Sequence, residues 1–291
     1  MEQPPKDSSQ LAGGAPGLDP RRAGPSILAF GRITLALAIV GLGVLGLVVG
    51  DFALQWQPAP EGMPARRLLA YLAAGLSVAI GAGLLIPRLR AASAAAACVA
   101  FFAWTLALHG PKVLAAPLDI LPWLAFCEIL AVAAGALMLT AESFPGAPVS
   151  RFGPPVGRLL FGACLPVFGA SHFAYLQFTA EMIPAFVPAP LFWAWFTGAA
   201  HIAAGVAILT GALARLASLL FAVMVSGFVL LLHVPRVIAE PASRQEWTML
   251  AMASVITAAA WCAAGVIARG PAWPGRRPQP DRGHAPATEP S

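Results

Sequence analysis

Two stretches of the chain have nearly the same sequence and decide its architecture: His109-Gly-Pro-Lys-Val-Leu-Ala-Ala-Pro117 and His233-Val-Pro-Arg-Val-Ile-Ala-Glu-Pro241. Histidine, proline, a cation, valine, a branched aliphatic residue, alanine and proline recur in the same order. The second stretch follows the first by 124 residues, counted from His109 to His233, and the same offset relates Trp123 to Trp247. Gly31-Arg32-Ile33 similarly matches Gly157-Arg158-Leu159, 126 residues later. Such self-similarity predicts a duplicated unit of roughly 125 residues.

The composition predicts that both units lie in a lipid bilayer. Hydrophobic residues make up 58% of the chain and charged residues only 11%, whereas about a quarter of the residues of a soluble domain are charged. Apolar runs of roughly 20 residues are long enough to cross the hydrocarbon core as helices. Helices are expected because lipid offers no hydrogen-bond partner to open backbone groups. The net charge of +5 is explained by basic residues at helix ends and does not predict nucleic-acid binding.

The predicted fold is an all-α membrane protein with eight transmembrane helices in two tandem four-helix units. The first unit covers residues 26–145 and the second covers residues 146–268, and the tails at 1–25 and 269–291 have the polar, proline-rich composition of disorder. Within the units, apolar runs predict helices near 26–50, 68–87, 91–109, 121–141, 157–178, 191–210, 213–233 and 247–267. Because each unit has an even number of helices, a pseudo-two-fold axis along the membrane normal should relate them. Prolines such as Pro111 are expected to end helices.

The positions of basic residues predict the orientation. Eight helices place both termini on one side of the membrane, together with 13 of the 18 lysines and arginines; the other side has Arg66, Arg67, Lys112, Arg236 and Arg244. By the positive-inside rule, both termini are expected in the cytoplasm, in the cytoplasmic (inner) membrane of a bacterium. Most tryptophans of the outer side are expected to form an interfacial aromatic belt. They are Trp56, Trp123, Trp193, Trp195 and Trp247.

Two histidines inside apolar runs are candidate ligand-binding residues, since ionisable groups are costly to place in a membrane. His201 lies about eleven residues into its helix, roughly 16 Å from the end, and shares a face with Thr197 and small residues, which should look into the bundle. It could contact a quinone carbonyl or relay a proton, or simply bind a neighbouring helix. His172 shares a stripe with Phe168, Tyr175 and Thr179, which could line a pocket for a flat amphipathic ring or serve interhelical packing.

Three further residues complete the candidate set. Glu128 is the only carboxylate well inside an apolar run and has Met252 as its counterpart; it is either a proton-relay member or an acid that reaches interfacial water or a basic loop residue. His109 and His233 should close the third and seventh helices, where a histidine can satisfy free carbonyls before the following proline. Their presence in both units favours a structural role over ligand binding.

The sequence carries no signature of a metal, nucleotide or covalent active site. HExxH, Walker, dinucleotide-binding and nucleophile-elbow motifs are absent, as is CxxCH. All four cysteines lie in apolar runs without ligand spacing, where cysteine behaves as a small hydrophobe. We therefore predict no metal site, and the residues leave open whether the protein is an enzyme.

The second unit resembles the DoxX/DoxD family of bacterial four-helix membrane proteins. The resemblance lies in Gly169-Ala-Ser-His-Phe, in the glycine-rich helix with Gly205 and Gly211, and in the turn Arg215-Leu-Ala. The first unit looks like a weaker copy, with Gly75, Gly83 and Arg88-Leu-Arg. The resemblance implies a four-helix bundle per unit and an association with respiratory or thiol redox systems, including a quinone-reducing thiosulfate oxidase. His201 stands where the family often has glutamate, which puts carried-over carboxylate chemistry in doubt.

These observations lead to one main hypothesis and two alternatives. The main hypothesis is a quinone-binding or redox-associated accessory subunit, in which His172, His201 and Tyr175 face the ring while Glu128 and His233 handle protons near the outer surface. A separate protein would then be its redox partner. The alternatives are a small-solute transporter, suggested by the duplication and the midplane His201, and a membrane scaffold without catalysis.

Overall fold

A computed structural model of the protein describes residues 20–270 and is entirely helical in its regular structure. Within that range, eight helices are long and apolar enough to cross a membrane. They are α1 (Pro20–Val49), α2 (Arg66–Leu85), α3 (Arg90–Ala115), α4 (Ile120–Ser143), α5 (Pro148–Ala174), α6 (Pro190–Thr210), α7 (Ala214–Ala239) and α8 (Arg244–Arg269). The prediction of a multi-pass all-α membrane protein is therefore confirmed.

The boundaries of the helices differ from the prediction mainly at prolines. α1 begins at Pro20 instead of residue 26, because proline suits the first turn of a helix, where its missing N–H is not needed. The predicted disordered tails otherwise lie outside the described residues. α5 ends earlier than predicted, at Ala174, and a short helix, Leu176–Glu181, follows in the connection to α6.

The expectation that Pro111 ends the third helix is wrong, as is the equivalent expectation that the seventh helix closes at His233. Each of these helices passes through one wide π-helical turn, at Thr105–His109 in α3 and Val229–His233 in α7, and continues to Ala115 and Ala239 respectively. In an α-helix the proline ring would clash with the carbonyl four residues earlier. The wide turn gives the ring room and shifts the hydrogen bond to the fifth preceding carbonyl, as from the Gly110 N–H to Thr105.

Helices α4 and α8 form the centre of the bundle. They pack against each other through alanine-rich stretches, 131–136 and 258–264, in which every residue except Trp261 is buried. A Cβ atom on Gly135 would lie only 2.8 Å from the Cβ atom of Ala259, so the two helices are in close backbone contact. α1 packs against α8 and α2, while α5 packs against α4 and α6. The first helix of each predicted unit thus contacts the last helix of the other.

Contacts in the two halves of the chain follow the offset of the sequence repeat. The indole N–H of Trp123 donates to the Pro117 carbonyl at 2.9 Å, and that of Trp247 donates to the Pro241 carbonyl at the same distance. The two π-helical turns also lie 124 residues apart. These matched contacts are what two tandem units require, and the duplication itself stays a prediction.

Glycines at matching positions bring helices together in both halves. A Cβ on Gly43 in α1 would lie 2.6 Å from the Ala74 carbonyl oxygen in α2. A Cβ on Gly169 in α5 would lie 2.5 Å from the Gly198 carbonyl oxygen in α6. Real Cβ atoms essentially never come so close to another atom, so glycine is needed at both crossings.

Ion pairs connect the loops on the side of the bundle opposite the termini. The Asp51 carboxylate contacts Arg66 at 2.8 Å and Arg244, at the start of α8, at 3.2 Å. Burial would raise the pKa of the Asp51 carboxyl, but the Phe52 N–H and the two guanidinium groups outweigh burial and hold it below the usual value. Asp51 therefore links the loop after α1 to both α2 and α8.

We expect Gly169→Ala to destabilise the protein by about 1–3 kcal/mol, the usual cost of overpacking, because the added methyl group would press on backbone and force α5 from α6. Gly75→Ala is the matched control, since its Cβ would meet no atom within 4 Å and alanine favours a helix. Thermal unfolding in mild detergent measures both variants. Equal unfolding temperatures would show that the α5–α6 crossing tolerates a side chain.

We expect Asp51→Asn to lower the free energy of unfolding at pH 7 by about 1 kcal/mol, a value typical of partly exposed pairs. The folded-state pKa of Asp51 is depressed, so its stabilisation is fully present above the unfolded-state pKa of about 3.9 and is lost as pH falls through the folded-state value. Thermal unfolding of both proteins between pH 7 and pH 3 measures this. A difference that does not shrink at low pH would contradict the assigned role.

Candidate functional site

A cavity of about 660 Å³ lies in the half of the bundle opposite the termini, within the 300–1,000 Å³ range common for small-molecule sites. It is bounded by the parts of α4, α6 and α8 that lie opposite the termini, by the end of α5, by the middle of α7 at residues 224–233, and by the connection between α5 and α6. Most side chains on its wall are apolar, and five of the six candidate residues lie on the wall. They are Glu128, His172, Tyr175, His201 and His233.

Breaks in two helices shape this cavity. α5 ends at Ala174, because the backbone of Tyr175 leaves the helical region. The chain then runs along the cavity as the short helix Leu176–Glu181. In α7, the π-helical turn at Val229–His233 follows Phe228, and both Phe228 and His233 line the cavity. The predicted stripe of Phe168, His172, Tyr175 and Thr179 lies on the wall throughout.

His172 and His201 lie side by side on the wall. Their ring centroids are 4.9 Å apart with an interplanar angle of 45°. The Phe228 ring is inclined by 28° to the His172 ring and by 29° to the His201 ring, with centroids 6.3 Å and 6.0 Å away. His201 is only 3% exposed, and the small residues on its face, Ala194 and Gly198, are also buried, so the prediction that this face looks into the bundle is confirmed.

Hydrogen bonds to the first turns of α6 hold both rings. The His201 Nδ1 atom lies 2.7 Å from the Thr197 carbonyl oxygen, one turn earlier in α6. The His172 Nδ1 atom lies 3.1 Å from the Thr197 hydroxyl oxygen, which itself donates to the Trp193 carbonyl at 2.8 Å. Thr197 therefore orients one imidazole through its backbone and the other through its side chain.

Glu128 and His233 reach the cavity from α4 and α7. The Glu128 carboxyl interacts with the indole of Trp56, although the Trp56 Nε1 atom has no partner in hydrogen-bond geometry. His233 is 7% exposed, and its Nδ1 atom has no hydrogen-bond partner among the described residues. Both groups are thus polar points on an apolar wall and are available to a bound molecule.

His109 lies apart from the cavity. It is 1% exposed, and its Nε2–H donates to the Trp56 carbonyl at 3.0 Å. The sequence predicts that His109 satisfies a free carbonyl at the end of its own helix. In the structure it binds a carbonyl of the loop between α1 and α2 instead. In the structure, the two histidines of the repeated stretch therefore have different surroundings.

The sequence interpretation missed Trp56 and Phe228. Trp56 was placed in an interfacial belt, but it is fully buried; its ring packs edge-on against Phe101 with centroids 6.2 Å apart. Trp123, Trp193, Trp195 and Trp247 do have exposed indole rings, at 38–56%. No pattern distinguishes Trp56 from these, because its burial depends on the path of an irregular loop. Phe221 and Val225 are four residues apart on α7, and Phe228 lies directly before the π-helical turn. In the sequence, these positions give only a weak signal that Phe228 faces the cavity.

The chemistry of the wall suits a flat, largely apolar molecule with a few polar atoms. Within residues 20–270, no three histidine, cysteine, aspartate or glutamate side chains converge at metal-ligand distance. Aromatic rings can stack on such a molecule or meet it edge-on. The imidazoles and the carboxyl group can form hydrogen bonds with it or exchange protons with it.

Comparison with known proteins identifies the region around the cavity. Residues 153–234 match the family model described as DoxX, and this segment contains His172, Tyr175, His201 and His233. No curated protein and no solved structure matches the chain. The chain is therefore a multi-pass integral membrane protein with a DoxX family domain at residues 153–234.

Proposed function

We propose that the protein binds the ring of a lipid-soluble quinone or hydroquinone in this cavity and serves as a redox-associated accessory subunit. The observation that carries the proposal is the His172–His201 pair, stacked beside Phe228 on an otherwise apolar wall. A flat ring with two polar edges can stack on the aromatic side chains while its oxygen atoms meet an imidazole. Tyr175 contributes a further ring near the end of α5.

Glu128 and His233 are the groups we assign to proton exchange with the bound ring. They lie on α4 and α7, on the same cavity as the two paired imidazoles, in the half of the bundle we assign to the outer surface. Intramembrane acids and histidines are the usual members of proton relays. Electron transfer would involve a separate redox partner, consistent with the absence of a dinucleotide or metal motif in the sequence.

The architecture proposed for this function has two tandem four-helix units at residues 26–145 and 146–268, in a bacterial cytoplasmic membrane with both termini in the cytoplasm. The matched π-helical turns, tryptophan hydrogen bonds and glycine crossings support the two units. The excess of lysine and arginine on the side of the termini supports the orientation.

A transporter is the less favoured alternative. Alternating access needs a site at the interface of two bodies that rock against each other, with a path to each side. The cavity is lined by α4 of the first unit and by helices of the second, but it lies in the half of the bundle opposite the termini, and towards the termini the alanine-rich stretches of α4 and α8 are in close contact. This packing favours a binding site that opens to one side over a transport path.

We expect a short-chain naphthoquinone or its hydroquinone to stabilise the detergent-purified full chain saturably. A ligand that binds only the folded state stabilises it by about 2.7 kcal/mol at a concentration one hundred times Kd. His201→Leu should abolish this rise in unfolding temperature, because it removes the central polar contact of the cavity. The measurement is thermal unfolding across a titration of each ligand under anaerobic conditions.

His109→Leu is the matched control, because it removes a buried imidazole outside the cavity. It should lower the unfolding temperature without ligand, since the Trp56 carbonyl loses its partner, and should leave the ligand-dependent rise intact. No saturable rise with either ligand would reject the proposed function. An unchanged rise in His201→Leu would place the ligand elsewhere.

A further inference from the structure

We infer that the cavity selects a flat aromatic ring with an O–H or N–H donor, so that among quinone-type ligands it takes the hydroquinone in preference to the quinone. This inference rests on the proposed function and specifies the ligand of the same site. It follows from two independent features, the hydrogen-bonding state of the paired histidines and the placement of Trp56.

The backbone of α6 determines which nitrogen of His201 carries the proton. A carbonyl oxygen only accepts hydrogen bonds, so the Nδ1 atom at 2.7 Å from the Thr197 carbonyl must be the N–H donor. In the neutral ring the Nε2 atom is then an acceptor. Within the described part of the chain, no hydrogen bond to this atom is formed, and His201 is on the cavity wall.

His172 contacts the same threonine through its hydroxyl group. The Thr197 hydroxyl has a single hydrogen, which it donates to the Trp193 carbonyl at 2.8 Å in the pattern usual for threonine within a helix. Its oxygen therefore accepts from the His172 Nδ1–H at 3.1 Å. The Ala194 carbonyl also interacts with this imidazole, so the donor preference of the site rests on the Nε2 atom of His201.

The free acceptor on His201 favours a ligand that donates. A quinone carbonyl opposite the His201 Nε2 atom would place two acceptors against each other and leave both without a partner, which is unfavourable in an apolar site. A hydroquinone hydroxyl, by contrast, donates to that atom. This differs from the sequence-based expectation that the histidine donates to a quinone carbonyl, because the donor is already used within α6.

Trp56 shows which kind of ring suits the matching position in the first half of the chain. Its buried indole packs against Phe101, interacts through its edge with Glu128, and lies beside His109, which binds its carbonyl. Adding the repeat offset of 124 to the numbers of Phe101, Glu128 and His109 gives Val225, Met252 and His233, respectively. All three line the cavity.

The first half therefore fills with its own side chain the position that is a cavity in the second half. Its occupant is a flat aromatic ring, surrounded by residues at the same places in α3 and α4 as the cavity residues in α7 and α8. The second half lacks such a tryptophan in the connection between α5 and α6, which runs instead along the cavity as the helix Leu176–Glu181. A flat aromatic ring is thus the occupant that this framework accommodates, and the donor preference comes from His201.

The test compares three probes that share one ring system: a short-chain naphthohydroquinone, the corresponding naphthoquinone, and the dimethyl ether of the hydroquinone. Affinities for the full-length protein are measured anaerobically by isothermal titration calorimetry. We expect the hydroquinone to bind at least about tenfold more tightly than either other probe, because only it donates to the His201 Nε2 atom. The ether keeps the ring and both oxygens but has no donor.

The variant His201→Gln separates the preference from binding itself. Its amide offers a donor as well as an acceptor, so the variant should retain binding and lose most of the preference for the hydroquinone. Equal or tighter binding of the quinone to the unchanged protein would overturn this inference and leave the proposed function standing. A preference that persists in His201→Gln would also overturn it, whereas binding of none of the probes would reject the proposed function.

Discussion

The crossing of α5 and α6 is the contact on which the rest of the site depends. Gly169 lets the Gly198 carbonyl approach to a distance that no side chain permits, and His172 and His201 lie one turn further along their helices. Only at this separation can Thr197 contact His172 through its hydroxyl and His201 through its carbonyl. In a membrane, small residues at a helix crossing replace the hydrophobic driving force that water would supply.

The second constraint is that lipid offers no partner to a free backbone group. Pro111 and Pro235 each remove a donor from a membrane helix, and the π-helical turns before them keep the remaining carbonyls paired. The wide turns also re-aim the side chains that follow. His109 is directed to the Trp56 carbonyl and His233 to the cavity, so the same backbone device serves packing in one half and the candidate site in the other.

The two π-helical turns thus have different surroundings. The ring of Trp56 occupies the first half, and Glu128, whose counterpart is Met252, is shared between that ring and the cavity wall. The buried Trp56 ring adds to the packing of the bundle, while the cavity is the space that we propose for a ligand. The Asp51 ion pairs with Arg66 and Arg244 then hold the loop that carries Trp56 against α2 and α8.

The sequence by itself determined the class of protein, the number of membrane helices and most of the polar candidates, because hydropathy and the cost of burying ionisable groups act locally along a chain. His172, Tyr175, His201, Glu128 and His233 could be chosen for that reason, and they meet at one cavity. Only the tertiary structure decided that His109 is excluded, that Trp56 is buried and that the helices continue past their prolines. These outcomes depend on contacts between segments far apart in the chain and on the path of one irregular loop. Residue type and spacing specify neither these contacts nor the path of the loop. A tryptophan, for example, suits a membrane interface and also suits a closed apolar space with one acceptor at its edge.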